Sequence, residues 1–437
     1  MAEDATARQP DGAVAVVRRA PFSDNPEVGA RGRRTQRRIL DAALRAFGAV
    51  GYHACSVDRI ARLARCSRVA FYQYFASKED VFRHLAGEVE RQVRASSEAL
   101  DALTPDAEGW SALRAWVARH TEIYARYEPV FHALETDDVL AAVAARTGAE
   151  TITTIHSRLQ RTTLDRRQHD PVIRLLLDCT NHTLGVVGIL RAAAPDAYPG
   201  ERVERAITDV VHRTLFGLRA GVNVHAADGP APPPLGFAPA MAQLLGPDAE
   251  TRETEASANR AYAAILASAH DVFIARGYHN TRIDDLVAAA GVSHGAFYRY
   301  FRGKAELARV LNTRVLRSVG STLLEIPDLP TLEGTAGRAA LRRWLRRLNA
   351  AQAQEAAMLR VWVDAALQDP ALRAESAPPL DWGRRRLSRY LQPRGFGDDD
   401  FEAVVMVALF GVFGSRRRAA PEIEAAANVI ERGFLGR

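Results

Sequence analysis

The sequence predicts an all-α protein built from two similar units. Apolar residues recur at three- and four-residue spacing through most of the chain, as at Ile39, Ala43 and Phe47, which is typical of amphipathic helices. The alternation of apolar and polar residues expected of half-buried strands is nearly absent. One segment recurs 226 residues later, since residues 35–85 and 261–311 align without a gap and are identical at 19 of 51 positions.

The duplication extends far beyond this segment. Two helical regions that are alike only in composition would not keep aromatic residues and glycines in a constant register. The same offset relates positions in the later part of each unit, where Gly185, Gly188, Arg191 and Pro195 align with Gly411, Gly414, Arg417 and Pro421. The sequence therefore predicts that a whole module occurs twice in one chain.

Length and composition are those of a globular protein with two halves of normal domain size. The chain has 437 residues, of which 47% are hydrophobic and 25% are charged, so each half can bury a core of its own. We expect no apolar run to reach the roughly 18–20 residues of a membrane span, and the N-terminus lacks the apolar core of a secretory signal. Three cysteines, Cys55, Cys66 and Cys179, lack metal-ligand spacing and predict a reduced, cytoplasmic protein without metal or other cofactor. The net charge of +6 permits binding to a polyanion, but the distribution of charge must decide.

A proline-rich stretch separates the two units. Five prolines lie between Asp228 and Ala240, and a segment so rich in proline cannot be helical. Because the stretch ends shortly before the second copy begins, we assign residues 226–256 to a semi-rigid linker between the units. Residues 1–30 mix Pro, Gly, Asp and Arg without periodicity and are predicted to form a disordered tail.

A pair of short helices is predicted near the start of each unit. The apolar residues of 57–64 form one face of a first helix, for which Ser56 is a suitable N-cap. After a break, Ser67 caps a second helix in which Phe71 and Phe75 lie four residues apart and face the first helix. The polar side of the second helix remains exposed.

The second copy repeats this pattern over residues 283–301, with Ser293 as the cap of its second helix. Two short helices joined by a tight turn form a helix-turn-helix. The second helix of such a motif has the dimensions to enter a DNA major groove.

These two segments carry a resemblance to a known family. The string AAAGVSHGAFYRYFRGKAEL at 288–307 resembles the signature of the TetR family of transcriptional regulators, and RLARCSRVAFYQYFASKEDV at 62–81 resembles a more divergent form of it. In that family three N-terminal helices bind DNA, while a larger helical domain binds a small effector and provides the dimer interface. The resemblance implies two TetR-like units, each a three-helix DNA-binding domain followed by a larger helical effector and dimerisation domain, packed as an intramolecular pseudo-dimer.

The same resemblance sets the expected domain boundaries. In the first unit, residues 31–82 would form the DNA-binding domain and residues 83–225 the effector and dimerisation domain. In the second unit, the corresponding ranges would be 257–308 and 309–437.

The resemblance also implies roles for individual residues on and near the two recognition helices. Ser67 and Ser293 would begin these helices. Base edges would be faced by Arg68, Val69, His294 and Gly295. The DNA backbone or bases would be contacted by Tyr72, Tyr74, Tyr298 and Tyr300, with Gln73 and Arg299 exposed on the same helices. Phosphates would be met by Lys78 and Lys304.

Some of these residues have an ordinary structural alternative. Tyr74 and Tyr300 could equally be half-buried packing residues with the hydroxyl in water. Lys78 could be a solvated lysine, but a lysine in the first turn of a helix opposes the macrodipole, and its recurrence as Lys304 favours an anionic partner.

The first copy departs from the family pattern at the turn, where Arg65 stands in place of the usual glycine. If that position requires a positive φ, arginine costs roughly 1 kcal/mol relative to glycine. Either the turn is strained, or Arg65 recovers the cost by contacting a phosphate.

The two copies also differ in charge. Residues 58–78 carry five cations and one anion, whereas residues 284–304 carry three cations and two anions. Arginines that include Arg33 and Arg34 crowd the start of the first copy, where they would oppose a helix dipole, so a phosphate or minor-groove partner is predicted. The alternative is an unstructured basic tail.

The resemblance places a ligand pocket in each larger domain. An aromatic stripe at helical spacing is more often ordinary core, so we assign no ligand-binding residue. The candidate lining residues are Trp116, His120, Tyr124, Tyr127, Phe131 and His132 in the first unit and Trp344, Met358, Trp362 and Trp382 in the second. The helices that carry Gly185-x-x-Gly188 and Gly411-x-x-Gly414 permit close approach of a neighbour, and we expect the two units to pack through them.

The sequence therefore predicts a sequence-specific regulator that binds double-stranded DNA, most simply a repressor released by a small-molecule effector. Its two unlike recognition helices would read an asymmetric operator. In the alternative, only the first copy binds DNA and the second is a dimerisation or ligand-sensing module. An enzyme is not predicted, because we find no glycine-rich phosphate loop after a strand, no metal constellation and no nucleophile elbow. Further homodimerisation of the whole chain is left open.

Overall fold

The computed structural model describes residues 29–136, 138–237, 259–368 and 370–437. Within these ranges the backbone is mostly helical, and the only β feature is an isolated bridge between Leu103 and Leu159. The all-α prediction is confirmed. The predicted tail, apart from its last two residues, and residues 238–256 of the predicted linker lie outside the described residues.

The first unit consists of helices α1 to α8. Helix α5 is kinked at Tyr127, two residues before Pro129, which lacks the backbone N–H that a regular helix needs. The helices are α1 (Ala30–Val50), α2 (Val57–Leu63), α3 (Arg68–Tyr74), α4 (Lys78–Glu98), α5 (Ala107–Thr136), α6 (Asp138–Arg158), α7 (His169–Ala193) and α8 (Gly200–Phe216).

The second unit consists of helices α9 to α17 and a final π-helical turn. Helix α9 is interrupted at Gly277, where φ is 70°. The elements are α9 (Arg260–Asn280), α10 (Ile283–Ala290), α11 (His294–Tyr300), α12 (Lys304–Leu324), α13 (Gly334–Gln368), α14 (Pro370–Ala374), α15 (Ala377–Leu391), α16 (Asp399–Gly414), α17 (Ala420–Asn428) and the π turn Val429–Phe434.

The repeat continues through α5 and α13 in a register shifted by two residues. The string Ala-Leu-Arg-x-Trp-x-x-Arg occupies residues 112–119 and 340–347, an offset of 228. Its first arginine has the same role in both units, because Arg114 pairs with Glu204 of α8 at 2.7 Å and Arg342 pairs with Glu424 of α17 at 2.5 Å. A gapless alignment misses this part of the repeat.

The predicted domain boundaries at 82/83 and 308/309 fall inside long helices. Helix α4 runs without a break from Lys78 to Glu98, and α12 runs from Lys304 to Leu324. Each N-terminal bundle is thus joined to the larger part of its unit by a continuous helix, and the boundaries themselves stay a prediction.

Each N-terminal bundle has a hydrophobic core of its own. The first core joins α1 to α4 with part of α5 and includes the fully buried Phe71 and Phe75. The second core joins α9 to α12 with part of α13 and includes Phe297 and Phe301. These phenylalanines hold α3 and α11 against the bundle and leave the opposite face of each helix outside.

A third hydrophobic core is continuous across both larger domains and joins the two halves of the chain. Helix α7 packs along α16 and against α17, while α8 packs against α16 and the final π turn. Helix α16 is buried along most of its length, as expected for its uninterrupted apolar sequence.

The four glycines of the repeated Gly-x-x-Gly pattern have different neighbours. A Cβ on Gly411 would lie 2.5 Å from Nε2 of His182 in α7, so this glycine permits close approach of the other half. A Cβ on Gly185 would lie 3.0 Å from Oη of Tyr124 in α5 of its own unit. Gly188 and Gly414 likewise face side chains of their own units, so of the four only Gly411 serves the contact between the halves.

Buried ion pairs cross the contact between the halves. Arg213 of α8 is fully buried and donates to the Glu402 carboxylate of α16 and, at 2.7 Å, to the carbonyl oxygen of Gly433. Arg202 Nη2 donates to Asp398 Oδ2 at 2.8 Å. Charges that are buried in this way are stable only with their partners present, so they favour one mutual arrangement of the two halves.

The described part of the proline-rich linker is non-helical, as predicted, and lies against the protein. Arg202 Nη1 donates to the carbonyl of Pro230 at 2.9 Å, and Arg384 Nη2 donates to that of Pro232 at 3.2 Å. The amide of Leu235 donates to Asp381 Oδ2 at 2.8 Å. Residues 228–237 are therefore held on the second unit by side chains of both halves.

One helical stretch, Arg166–Ala193, is long and apolar enough to cross a membrane by length and composition alone. The expectation that no stretch reaches this length is therefore wrong. About 56% of its apolar window is buried inside the protein, as in the core helix of a soluble domain, so the stretch is weak evidence for a membrane span.

Candidate nucleic-acid interface

Helices α2 and α3 form a helix-turn-helix with the predicted caps. Ser56 Oγ accepts a hydrogen bond from the amide of Arg59, and Ser67 Oγ accepts one from the amide of Ala70 at 3.0 Å. Each cap satisfies an amide that the first turn of a helix leaves without an intrahelical partner. The hydroxyl of Ser67 therefore fixes the start of the exposed helix α3.

The second copy has the same geometry in α10 and α11. Ser293 Oγ accepts a hydrogen bond from the amide of Ala296 at 3.2 Å, and Asp285 Oδ2 accepts one from the amide of Arg282 at 2.9 Å. Helix α11 is capped as α3 is, and each helix buries one phenylalanine face against its bundle. Both units therefore present the other face of one short helix on the protein surface.

The residues predicted to face DNA are on the exposed side of these helices. Val69 is 73% exposed and Tyr298 is 54% exposed, which is unusual for large apolar or aromatic side chains without a partner surface. The other exposed members of the predicted set are Arg65, Ser67, Arg68, Tyr72, Gln73, Ser293, His294, Gly295 and Arg299. Their contacts with DNA stay predictions.

The two tyrosines for which packing was the alternative are only partly exposed. Tyr74 packs against the core of the first bundle, and Tyr300 packs against that of the second. The ring of Tyr300 lies edge-on to Tyr262, with centroids 5.5 Å apart. Both tyrosines thus pack against the core of their bundle, and contacts of their hydroxyl groups with DNA stay predictions.

The turn between the two helices requires a positive φ in both copies. Arg65 has φ of 51°, and Gly291 at the equivalent position has φ of 64°. The amides that follow make matching bonds, since Cys66 N donates to Ala61 O at 3.0 Å and Val292 N donates to Val287 O at 3.1 Å. Arg65 therefore adopts a conformation that favours glycine, and its exposed side chain is placed at the turn.

The first residue of each recognition helix is paired with an acid from the preceding helix. Arg68 Nη1 lies 3.4 Å from Asp58 Oδ1, and His294 Nε2 lies 2.7 Å from Asp284 Oδ1. All four side chains are more than half exposed. The two positions predicted to face bases thus differ in chemistry, but both are paired with an acid. The sequence did not reveal this pairing, because it joins residues ten apart across a turn.

The two lysines that start α4 and α12 have an internal role that sequence reasoning missed. Lys78 Nζ donates to the carbonyl of Tyr52 at 2.9 Å and lies 4.5 Å from the centroid of the Tyr52 ring. Lys304 Nζ donates to the carbonyl of Tyr278 at 2.9 Å and lies 4.4 Å from that ring. The recurring pair Tyr52 and Tyr278 was the available clue. Each ammonium group makes a further bond, from Lys78 Nζ to His53 O at 3.3 Å and from Lys304 Nζ to Thr281 O at 3.2 Å, and the phosphate contacts stay predictions.

The basic residues at the start of the first unit are helical. Helix α1 begins at Ala30, so Arg33 and Arg34 lie in its first turns and not in an unstructured tail. Both are exposed, whereas Arg37 Nη1 donates to Glu88 Oε1 of α4 at 2.7 Å. The first turn of α1 contains no acidic residue. The positive charges of its arginines therefore add to the positive end of the helix dipole.

The aromatic candidates for a ligand pocket are mostly core residues. Tyr127 is fully buried, and Trp344 and Trp362 donate their indole N–H groups to Thr322 O and Ser376 Oγ. Two candidates line cavities: Trp116 lines one of about 460 Å³ between α4 and α5, and Met358 lines one of about 290 Å³ in the second unit. Among the described residues we find no cluster of three or more side chains suited to a metal ion.

Each small bundle contains a capped helix-turn-helix whose second helix is exposed. These features place the protein in the class of helix-turn-helix DNA-binding folds. The family model described as "Bacterial regulatory proteins, tetR family" matches residues 39–85 and 265–311, which are the two N-terminal bundles. Both bundles are thus similar to this family, and the second match lies 226 residues after the first.

Known proteins similar to this chain cover parts of it. An uncharacterised HTH-type transcriptional regulator of Bacillus subtilis strain 168, YdgC, is 34% identical over 70 residues. That match spans 16% of this chain and about a third, 36%, of the relative. A crystal structure of a TetR family transcriptional regulator, PfmR from Thermus thermophilus, is 24% identical, covers 40% of this chain and 97% of its own, and has a TM-score of 0.32.

Proposed function

We propose that the protein is a transcriptional regulator that binds double-stranded DNA in a sequence-specific manner with two unlike recognition helices. The observation that carries the proposal is the matched geometry of α3 and α11. Both are capped by serine, anchored by two phenylalanines and exposed on the opposite face. An exposed helix of this kind is the element that enters the major groove in helix-turn-helix proteins.

The operator would be asymmetric. Arg68 can donate two hydrogen bonds to the O6 and N7 of one guanine, which gives about 1–3 kcal/mol of discrimination per base pair. His294 at the equivalent position, followed by Gly295, offers fewer donors and less contact. Two identical recognition helices would read a palindrome, but these two would read unlike half-sites about one helical turn apart.

One chain would supply both recognition helices as an intramolecular pseudo-dimer. The continuous core between α7, α8, α16 and the π turn supports this arrangement, as do the buried pairs of Arg213 with Glu402 and Arg202 with Asp398. Covalent linkage replaces an encounter between two chains by an effective concentration, typically millimolar for a suitable linker. The assembly would then persist at protein concentrations where an ordinary dimer dissociates.

Regulation by a small molecule is part of the proposal. The larger domains would hold an effector whose binding releases the protein from its operator, so the protein would act as a repressor in the cytoplasm. The cavity beside Trp116 is the described feature that supports an effector site.

A second reading has an observation in its favour. In the second copy Asp284 pairs with His294, and Asp285 pairs with Arg276, so acids occupy much of the polar surface of α10 beside α11. If this surface repels DNA, only the first copy binds DNA and the second serves for dimerisation or ligand sensing.

Selection of bound DNA from random sequence tests the proposal. We expect an enriched site with two unlike half-sites, and Arg68→Ala should relax the preference at one position of one half-site. His294→Ala is the matched variant and should affect the other half-site. A palindromic site, or an enriched sequence with a single half-site that is insensitive to His294→Ala, would contradict the two-helix proposal.

Stoichiometry tests the pseudo-dimer separately. Light scattering at low concentration should give one chain of 47.8 kDa, and one chain per operator should give the complete footprint. A requirement for two chains would contradict the intramolecular arrangement.

A further inference from the structure

One tryptophan of the repeat has different surroundings in the two units. Trp116 and Trp344 hold the same place in the shared string of α5 and α13, and they are 6% and 1% exposed. The indole N–H of Trp344 donates to the carbonyl oxygen of Thr322 at 3.0 Å. Within the described part of the chain, Trp116 Nε1 is buried without a hydrogen-bond partner. A buried donor without an acceptor is costly, so this difference requires a cause.

The counterpart of Thr322 in the first unit is Ser96, and its hydroxyl group is also buried with no partner among the described residues. Both Ser96 and Trp116 line the cavity of about 460 Å³ between α4 and α5. That volume lies within the roughly 300–1,000 Å³ of small-molecule sites. Two residues with unpartnered polar groups thus line a space large enough for a ligand.

Small side chains create this space in the first unit. Four alanines line the cavity, and three of their counterparts in the second unit are larger. The most informative exchange is Ala99 for Glu325, because Glu325 Oε2 lies 3.3 Å from Arg347 Nη1 in the second unit. The alanines are Ala95, Ala99, Ala112 and Ala115, and their counterparts are Ser321, Glu325, Ala340 and Arg343.

The exchange leaves a cation at the cavity of the first unit. Arg119 is the counterpart of Arg347 and lines the cavity. Ala99 offers it no carboxylate, and Arg119 instead lies 3.6 Å from Glu122, where both side chains are about two-thirds exposed. Such a pair is weak. Arg119 lies three residues after Trp116, hence on the same face of α5.

We infer that this cavity binds a planar, largely apolar carboxylate and that only the first unit does so. The ligand carboxylate accepts hydrogen bonds from Trp116 and Ser96 and pairs with Arg119, which takes the place that Glu325 fills in the second unit. Its apolar body lies against the alanines, Leu100 and Ile123. Asp101 on the same wall disfavours a second negative charge. The inference rests on the proposed effector control and names the class of effector and the unit that binds it.

The ring of His120 helps to fix the indole. It stacks on Trp116 with centroids 5.1 Å apart, and its Nε2 lies 2.7 Å from Asn181 Oδ1. Burial lowers the pKa of His120, so the imidazole is neutral near pH 7 and adds no second cation to the site.

A side chain of the cavity wall also reaches the first DNA-binding bundle. Gln92 lines the cavity, and its Nε2 donates to Tyr127 Oη at 2.9 Å at the kink of α5. Two residues further, Pro129 packs on α1, where a Cβ on Gly48 would lie 3.2 Å from its Cγ. A ligand that turns Gln92 away from Tyr127 therefore acts on α1, which packs against α2 of the first helix-turn-helix.

Calorimetry on the full chain with 2-naphthoate and 2-naphthamide tests the inference, because these probes share the ring system and differ in the head group, a carboxylate or a neutral amide. We expect one naphthoate per chain and an affinity for the amide that is about tenfold lower, owing to loss of the charge-assisted contact. Absence of saturable naphthoate binding, or equal affinity for the two probes, would overturn it.

Variants locate the site without relying on DNA. Ala99→Glu copies the second unit and should abolish naphthoate binding by pairing with Arg119, while Arg119→Gln should reduce naphthoate affinity to that of the amide. Arg347→Gln in the second unit is the matched control and should change neither the affinity for naphthoate nor that for the amide. Circular dichroism establishes that each variant is folded. Naphthoate binding that survives Ala99→Glu in a folded protein would place the ligand elsewhere and refute the inference.

DNA affinity is measured separately by fluorescence anisotropy on the selected operator. If naphthoate binds as expected and no operator is found, the proposed function fails while the ligand site stands. If the operator is found and naphthoate does not bind, only the ligand site fails.

Discussion

His294 Nε2 lies 2.7 Å from Asp284 Oδ1, in the place where Arg68 Nη1 lies 3.4 Å from Asp58 Oδ1 in the first unit. In each copy an acid of the first helix of the motif holds the first residue of the recognition helix. Both pairs are exposed, and exposed pairs are weak, so a DNA base or phosphate can compete for the same side chain. We therefore expect the acid to compete with DNA.

Replacing these acids should tighten DNA binding. Asp58→Asn removes a negative charge near the phosphates and releases Arg68, so we expect affinity to rise by about two- to fivefold, the scale of an exposed pair. Asp284→Asn should act in the same direction if α11 contacts DNA and should have no effect if only the first copy binds. Anisotropy titrations at fixed salt measure both. Weaker binding by Asp58→Asn would mean that the acid holds Arg68 in its productive position.

Lys78→Ala should affect both stability and DNA binding. The ammonium group bonds to the carbonyl of Tyr52 and lies over its ring, so we expect a loss of about 1–2 kcal/mol of unfolding free energy. If Lys78 also meets a phosphate, affinity should fall equally for all DNA sequences and the salt slope should flatten by about one unit. Thermal unfolding and salt titrations separate the two effects. An unchanged salt slope would leave Lys78 a structural residue only.

Arg65→Gly should separate strain from DNA contact. Arg65 has φ of 51°, and glycine relieves the roughly 1 kcal/mol that a left-handed conformation costs another residue. We therefore expect a higher melting temperature together with weaker DNA binding, because a cation at the turn is lost. Arg65→Asn, which also tolerates positive φ, is the control for the loss of charge. Unchanged DNA affinity in both variants would show that the arginine contacts no phosphate.

The buried pair of Arg213 and Glu402 should be essential for the contact between the halves. Arg213→Ala removes one of the two arginines that pair with the buried Glu402 and leaves Arg394 alone beside it, which should cost about 3 kcal/mol. The double variant Arg213→Met and Glu402→Leu removes both charges and should recover much of that stability, although Arg394 also donates to Glu402. Chemical denaturation measures these differences. A single variant as stable as the wild type would contradict the buried network.

His212 should make the protein less stable in acid. Burial lowers the pKa of His212 to about 4, and its ring is fixed in a neutral form by contacts of Nε2 with Thr104 O and of Nδ1 with Asn223 Nδ2. The unfolded chain then binds a proton at this residue that the folded chain does not, so stability falls as the pH drops from about 6.5 towards 4. His212→Gln should flatten the pH dependence of the melting temperature in that window. An unaltered slope would show that other groups cause the acid sensitivity.

The sequence determined the all-α class, the duplication and the two helix-turn-helix motifs, because these depend on local interactions. Serine caps, phenylalanines four residues apart and a glycine at a positive-φ turn act within a few residues, so their spacing can be read directly. The strain at Arg65 was anticipated only as a condition, because the family that the motif resembles usually has a glycine at this position.

Only the tertiary structure decided which residues from distant parts of the chain meet. The attachment of Lys78 to Tyr52, the burial of Arg213 with Glu402 and the docking of the proline-rich segment on Asp381 join residues between 26 and 189 positions apart. The different surroundings of Trp116 and Trp344 also depend on two helices in each unit, α4 with α5 and α12 with α13. The loop between these helices shifts the register of the repeat by two residues. Spacing along the chain determines on which face of a helix a residue lies, whereas packing between helices determines what that face contacts.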